Sequence, residues 1–557
     1  MKLFRVLFFF LSLCPFPGFA QAKAKKQGLS AHQVHSLSVL GELWGFLKYY
    51  HPAVVHGQQN WDSVLIQKIP LYLAAKDKDA ISRLTADWLT ETGTPKACQS
   101  CDNNIPDSCK FNLDLSWISN ANFSRDVAGR LQFIRDNRSQ GSNRFVRLEG
   151  GHQLVTHEPA YNTPAYLYPP APYRLLLLFR FWNIVQYFSP YKYLCGKDWK
   201  KVLEEEIPAF YGAADTLAYH LEYVKLISSL NDGHANFYVT PVLRHFWGDN
   251  HYPPFYCEMI DGKLVVGHVF NDSLAALIRI KKGDVLVTIN GEKVTDKMAR
   301  LLAYGPASND VMRVCGFSAY FLFTGPDNNF IITKERKGLT IIDTIGMPTY
   351  TSPYPDSRAL PWRLLEGNIG YVDMGILQIS QVDTMMDALA GAKGIIFDVR
   401  NYPNNTARAL AARLCDRPFV MASVSSSDLN YPGVFRFEKI YVNGNMPQHP
   451  YRGKVVLLAD VMSVSHSEWT LMALQASTKT MTIGSTTAGQ DGDVSNRIVL
   501  LGGLFTRFSS LGIYYPDGTP AQRAGVKIDR MVHPTIRGLQ EGRDEVLEAG
   551  IKFINGR

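Results

Sequence analysis

The apolar run Val455-Val-Leu-Leu458 is followed, after a short gap, by Ser463-Val-Ser465-His-Ser467-Glu468. The run predicts a buried strand. Glu468 to Ala476 predicts a helix, so the serines lie on the turn between them. A serine on such a turn can present its hydroxyl while a neighbouring backbone N–H stays free to bind an oxyanion, as acyl transfer requires. A serine-rich helix N-cap is the structural alternative, since Ser at that position commonly satisfies an orphan N–H.

Outward from this stretch, strand and helix alternate. Gly370 to Met374 and Gly394 to Val399 predict strands, Val382 to Leu389 a helix, and Met481-Thr-Ile483 the start of a further strand. Residues 346–557 are therefore expected to form an α/β core.

Upstream, from about 245 to 345, the pattern is one of short strands. Gly283-Asp284, an apolar run, Asn290-Gly291 and Val294 follow in order, and Asn-Gly between apolar runs signals a two-residue hairpin. The combination resembles a PDZ domain of the bacterial periplasmic type, which implies binding of extended peptide by strand addition.

Nearer the N-terminus the sequence repeats itself. Trp44, Tyr49, Pro52, Trp61, Leu65 and Ile69-Pro70 recur as Trp182, Tyr187, Pro190, Trp199, Leu203 and Ile207-Pro208, at a constant offset of 138 residues. Each copy predicts helix, proline-containing turn, helix, with the aromatic residues as core. A duplicated helical module at 30–95 and 171–240 is expected; only the second copy continues into Asn231-Asp-Gly-His234. Between the copies, 96–170 is rich in Gly, Asn, Ser and Pro and is expected to be a β-rich insert, with Pro159 to Pro172 as an extended connector.

The 557 residues exceed one core, and 46% hydrophobic with 19% charged residues is an ordinary globular balance. The net charge of +8 is dispersed, with no basic run suited to nucleic acid. Residues 1–20 carry Lys2, Arg5, an apolar core and Gly18-Phe-Ala20, the pattern of a secretory leader cut after Ala20. A lipid anchor at Cys14 is a minor alternative, disfavoured by the large Leu13 before it. A secreted or periplasmic protein without an integral membrane segment in its mature form is expected. Without Cys14, seven cysteines are left: Cys98, Cys101 and Cys109 cluster in a polar loop suited to a disulfide, while Cys195, Cys257, Cys315 and Cys415 are scattered. A phosphate loop, a zinc helix and a dinucleotide fingerprint are all missing, so neither cofactor nor metal is expected. Asp491 and Asp493 are read as turn residues. A carbohydrate-cleaving module would need a pair of carboxylates at one site, and no such pair is evident.

The order of motifs completes the reading: Asp-Gly-His, the PDZ-like segment, the Gly-Tyr-Val strand, Phe397-Asp398-Val-Arg400-Asn401 with Pro403, then Ser-x-Ser-x-Ser-Glu. This order resembles the tail-specific (C-terminal-processing) and tricorn-like serine peptidases, in particular a secreted branch of Bacteroidetes-type bacteria. The resemblance implies a multidomain α+β protein with a crotonase-like catalytic core. It implies Ser465 as nucleophile and an oxyanion hole from the N–H groups of His466 and Asn404, the latter where the family has Gly. The tail-specific branch has a Lys 25 residues beyond the nucleophile, where this chain has Gln490. The tricorn branch uses a His from the preceding helical region, which His234 matches. Its supporting Glu is replaced by Gln522, with Asp517 and Asp232 as two open substitutes. The function expected is an endopeptidase acting through an acyl-enzyme on Ser465 with His234 as general base, on an extended protein or peptide segment. The alternative is a catalytically silent peptide-binding protein on the same scaffold.

Overall fold

The computed structural model describes residues 28–57, 59–348, 360–442 and 450–556; the leader expected at 1–20, with Cys14, lies outside them. Among the described residues, no helix is long and apolar enough to cross a membrane.

The N-terminal region is helical. It contains α1 (Ala31–Tyr50), α2 (Trp61–Ala74), α3 (Lys78–Thr92), α4 (Arg125–Asp136), β1 (Val146–Glu149), β2 (His152–Val155), α5 (Ala171–Phe188), α6 (Trp199–Gly212) and α7 (Thr216–Ser228). Short polar side chains start these helices by accepting from a backbone N–H of the first turn: Asn60 from Ser63, Asp77 from Ala80 and Asp215 from Ala218. Inside, two tryptophan pairs exchange reciprocal bonds. Trp44 Nε1 donates to Trp61 O and Trp61 Nε1 to Trp44 O, both at 3.0 Å; Trp182 and Trp199 do the same at 2.7 and 3.1 Å. Each buried indole N–H is thereby satisfied without water.

Helices α1 and α5 pack along a seam where residues of equal place in the repeated pattern face one another. A Cβ on Gly41 would lie 2.9 Å from the Phe179 ring, and one on Gly45 would lie 1.8 Å from the Asn183 amide oxygen. One turn further, the Tyr49 and Tyr187 rings meet at 5.6 Å between centroids. Contacts at matched positions over successive turns require the helices to run side by side in the same direction. Glycine on α1 is what lets the larger residue of α5 approach.

A group of buried charges crosses this region. Arg180 on α5 binds Asp62 of α2 at 2.7 Å and lies 3.0 Å from Glu158 Oε2, an ion pair whose angle falls outside hydrogen-bond geometry. Glu158 in turn binds Lys48 of α1, and all four side chains are buried. Such a group is stable only while its charges balance.

Residues 96–170 differ from the β-rich insert expected. They hold one short hairpin, β1 paired with β2, and the helix α4. Val127, Ala128, Leu131 and Ile134 recur at helical spacing and are buried, so the apolar period outweighs the turn-rich composition. Cys98 and Cys101 are disulfide-bonded, while Cys109 is free.

The middle of the chain forms β3 (Phe255–Ile260), β4 (Lys263–Val269), β5 (Val285–Ile289), β6 (Glu292–Lys293), α8 (Asp310–Tyr320), β7 (Asn329–Arg336) and β8 (Leu339–Gly346). The sheet order is β8-β7-β5-β4-β3, with β6 paired to β5. Ile289 pairs with Glu292 across Asn290 (φ 49°) and Gly291 (φ 82°), the two left-handed positions of a tight hairpin.

The C-terminal region contains β9 (Trp362–Leu365), β10 (Ile369–Asp373), α9 (Val382–Ala388), β11 (Gly394–Asp398), α10 (Ala407–Leu414), β12 (Phe419–Ser427), β13 (Phe435–Val442), β14 (Lys454–Ala459), α11 (His466–Ser477), β15 (Thr480–Gly484), β16 (Gly512–Tyr514), β17 (Arg530–Met531) and α12 (Glu545–Ile554). The main sheet runs β9-β10-β11-β14-β15-β17, parallel from β10 onward. A smaller antiparallel sheet, β13-β12-β16, stands beside it. Together these regions make a mixed α+β multidomain chain, helical at the N-terminus and β-rich at the C-terminus.

Two stability effects follow. Replacing Arg180 by Met strands the Asp62 and Glu158 carboxylates in the core. It should lower the unfolding free energy by about 3–5 kcal/mol in chemical denaturation, and a loss below about 1 kcal/mol would contradict the buried-charge account. Glu42 on α1 is buried, its Oε2 without a hydrogen-bond partner among the described residues, and burial pushes its carboxyl up to about 8. The folded chain therefore holds this proton more tightly than the unfolded chain, and the stabilisation it brings is complete below the unfolded pKa and lost as pH rises through the folded one. Glu42→Gln should gain in melting temperature relative to the parent as pH is raised from about 5 to about 9; a pH-independent difference would refute this.

Candidate active site

Strands β11 and β14 end side by side, and the chain leaves β14 through Asp460 into the serine turn. Two hydroxyls tie the turn to the β11 end: Ser463 Oγ donates to Val399 O at 2.8 Å and Ser467 Oγ to Asn401 O at 2.6 Å. Between them Ser465 adopts φ 51°, ψ −106°, a conformation that costs a non-glycine residue free energy. Helix α11 starts at the next residue. Ser465 is thus the residue before the helix, and its backbone departs from the usual extended N-cap.

Glu468, in the first turn of α11, is wholly buried. Its Oε1 accepts from Thr487 Oγ1 (2.6 Å) and Gly489 N (2.7 Å); its Oε2 accepts from Gln490 N (2.9 Å) and Ser465 N (3.3 Å). Burial pushes the carboxyl up to about 7, and the hydrogen bonds pull against that rise. One side chain therefore holds both the serine turn and the 487–490 segment.

His234 arrives from the other side, on the Asn231-Asp-Gly turn after α7. The turn is held by Arg313, which donates to Asn231 Oδ1 at 2.7 Å, and by Ser308 Oγ, which accepts from Gly233 N at 2.8 Å. His234 Nε2 lies 3.2 Å from Ser465 Oγ, and Nδ1 lies 2.9 Å from Ser509 Oγ. Ser509 Oγ also donates to Asp232 Oδ1 at 2.9 Å, and its N–H donates to Asp232 Oδ2 at 2.7 Å. An ionised carboxylate only accepts, so the Ser509 proton goes to Asp232, Ser509 Oγ accepts from Nδ1–H, and the Nε2 lone pair faces Ser465. Burial, the largest effect, lowers the His234 pKa, and Asp232 opposes it.

The structure distinguishes the two acids left open by the sequence. Asp232 is buried and linked to His234 through Ser509, whereas Asp517 is an exposed turn residue paired with Lys527 at 2.8 Å. Gln522 is buried and donates to Ser308 Oγ at 3.2 Å. Gln490 is buried against Gly233, where a Cβ would come within 1.9 Å of its Oε1. Asn404 donates from its side-chain amide to Gly375 O (3.0 Å) and Leu377 O (3.2 Å), which fastens the turn after β11. Tyr402 on the same turn is hydrogen-bonded to the Ser465 side chain and to the backbone of His466; these bonds lower its pKa, but burial raises it more.

Beside Ser465 opens a cleft of about 370 Å³. Val424 and Ser426 of β12, Glu438 and Ile440 of β13 and Ile513 of β16 form one wall; Gly150-Gly151, Trp469 and Asp491 line others. Sequence reasoning did not identify Ser509, Ser308, Tyr402 or this wall. Ser509 sits among Phe508, Ser510 and Leu511 with no motif around it, and the wall comes from strands that are unremarkable in sequence.

Residues 368–532 match the model of peptidase family S41. No curated protein matches the chain. Among solved structures, mature CPAF complexed with lactacystin is 14% identical, over 70% of this chain and 99% of that one, with a TM-score of 0.51. Mature CPAF alone is 14% identical over 69% and 98%, with a TM-score of 0.50. At that identity the likeness is one of fold. The family match corrects the function expected from sequence: the catalytic dyad of the S41, tail-specific type is Ser/Lys, so an acyl-enzyme endopeptidase with His234 as general base is not what the family supports. A hydrogen bond to a hydroxyl is required of a general base but does not by itself make the histidine one. What the match supports, over residues 368–532, is homology to peptidase family S41.

Proposed function

We propose that this chain is a serine peptidase-type protein whose cleft receives an extended peptide segment over Ser465, with the Ser465 hydroxyl as its reactive group. One observation carries the reading. Ser465 is held at φ 51° on a strand-to-helix turn, with its side chain lining the cleft. A conformation that costs stability persists only where its surroundings over-determine it, and such positions cluster at functional sites. In this reading His234 positions the hydroxyl, and the N–H groups of His466 and Asn404 are the oxyanion donors, the first of them once Tyr402, which it binds in this structure, gives way. Gln490 takes the place of the family's lysine and Gln522 that of the tricorn branch's glutamate; neither amide accepts a proton near neutral pH.

The surrounding organisation belongs to the same proposal. We read 30–95 and 171–240 as two copies of one helical module, 96–170 as the segment between them, 245–345 as a PDZ-like unit and 346–557 as a crotonase-like core. Matched contacts along the α1–α5 seam support the first. The hairpin at Asn290-Gly291 and the five-strand path around it support the PDZ-like unit. The Cys98–Cys101 bond supports a secreted or periplasmic location, because disulfides persist in oxidising compartments.

A serine-directed fluorophosphonate probe tests the central claim. The folded chain should take up label at Ser465, located by mass spectrometry, and Ser465→Ala should abolish uptake. A folded chain that binds peptide and takes up no label would instead be a peptide-binding protein on this scaffold. Gly233→Ala should cut the labelling rate by about tenfold or more, because the added Cβ must displace Gln490 and with it His234. Unchanged labelling in Gly233→Ala would show that the Asp-Gly-His turn has no part in holding Ser465.

A further inference from the structure

The cleft beside Ser465 carries an unbalanced set of charges. Asp491, Asp493 and Glu438 line it against one cation, Arg408. Glu438, Asp493 and Arg408 are exposed, and such groups are ordinarily solvated. Asp491 is different. It is 5% exposed, and its Oδ2 has no hydrogen-bond partner among the described residues. A buried carboxyl with an unused acceptor is costly, and a native structure retains one where something arrives to satisfy it or where the group stays protonated. Burial, with Glu468 adding to it, raises the Asp491 pKa.

The segment that carries Asp491 is tied down at several points. Tyr191 Oη donates to its backbone carbonyl at 2.8 Å. Gly492 follows at φ 147°, where a Cβ would come within 2.5 Å of Leu511 O. Asp493 Oδ2 lies 3.5 Å from His152 Nε2, whose other ring nitrogen lies 2.8 Å from Ser510 Oγ. The walls around the acids are apolar: Val424, Ile440, Trp469, Leu511 and Ile513. A long aliphatic stem ending in a cation suits such a wall, with the stem against carbon and the head group at the carboxylate.

We propose that this cleft selects peptides carrying a lysine or arginine side chain, with Asp491 as the residue that pairs with the cation. The proposal rests on the peptide-cleft reading above and adds to it a specificity that the family match does not supply. The Gly492 backbone already bonds the Asp491 carboxyl, and a basic side chain brings Oδ2 the donor that it lacks among the described residues; the pair forms away from bulk water, where a charge-assisted hydrogen bond is strong. Asp493 and Glu438, nearer the surface, draw the cation toward the cleft without closing on it.

Peptide binding to the full chain carrying Ser465→Ala tests this without any need for turnover. Fluorescent peptides of one extended sequence, with lysine, arginine, norleucine or glutamate scanned through it, are titrated by anisotropy. At one position lysine and arginine should bind about tenfold or more tighter than norleucine, and glutamate weaker than norleucine. Asp491→Asn should reduce that ratio to about threefold or less. If Asp491→Asn does not fold, Asp493→Asn combined with Glu438→Gln should still lower the ratio by about half or more, since both carboxylates face the same cation. Norleucine binding as tightly as lysine at every position, or a ratio that survives Asp491→Asn, would overturn the proposal and leave the peptide cleft standing. Failure of every peptide to bind would overturn both.

Discussion

The site depends on one carboxylate. Glu468 accepts four hydrogen bonds from inside the protein, from Thr487, Gly489, Gln490 and Ser465. No neutral side chain of similar size can accept four donors at two oxygens, because an amide would turn its N–H₂ toward backbone N–H groups. The serine turn, the start of α11 and the 487–490 segment are therefore joined by electrostatics rather than by apolar packing. The cost is desolvation, visible in the carboxyl being pushed up to about 7. It is offset by hydrogen bonds to the ionised form, which are the stronger kind.

Around this centre, parts that are distant in sequence are held by single contacts of high specificity. Gln490 presses on Gly233, so the glycine of Asp-Gly-His is required by a residue 257 positions away. Ser308 links that turn to Gln522, accepting from Gly233 N and from Gln522 Nε2. Asn309 donates to Thr487 O at 2.8 Å, bringing the middle of the chain onto the same loop that Glu468 holds. A site assembled from three regions in this way shifts as a unit when any one of them shifts, which is why substitutions well away from the serine are expected to reach it.

The helical region supplies the frame. Its two tryptophan pairs satisfy their own indole N–H groups, glycines on α1 let α5 approach closely, and its buried charges balance only as a group. Stability there and chemistry at the serine are connected through α7, whose C-terminal turn presents His234.

Much of this was legible in the amino-acid order. Strands such as Val455–Leu458 are apolar on every residue because both faces of a parallel sheet are covered, and the Asn290-Gly291 hairpin follows from the two left-handed positions such a turn demands. The tryptophan repeat was readable because core packing preserves spacing. The serine turn and Asp-Gly-His were also visible as motifs, and the fold brings His234 Nε2 to 3.2 Å from Ser465 Oγ. Other features were not legible. Within 96–170 the turn-rich composition hides a helix whose buried Val127, Leu131 and Ile134 recur at helical spacing. The choice of Asp232 over Asp517, the part played by Ser509, and the place of Asp491 in the cleft depend on contacts between residues hundreds of positions apart. Local sequence determines local backbone geometry, because propensity, turns and apolar period act over a few residues. Which acid meets which histidine is decided only when the whole chain packs, because burial and hydrogen-bond partners are properties of the assembled fold.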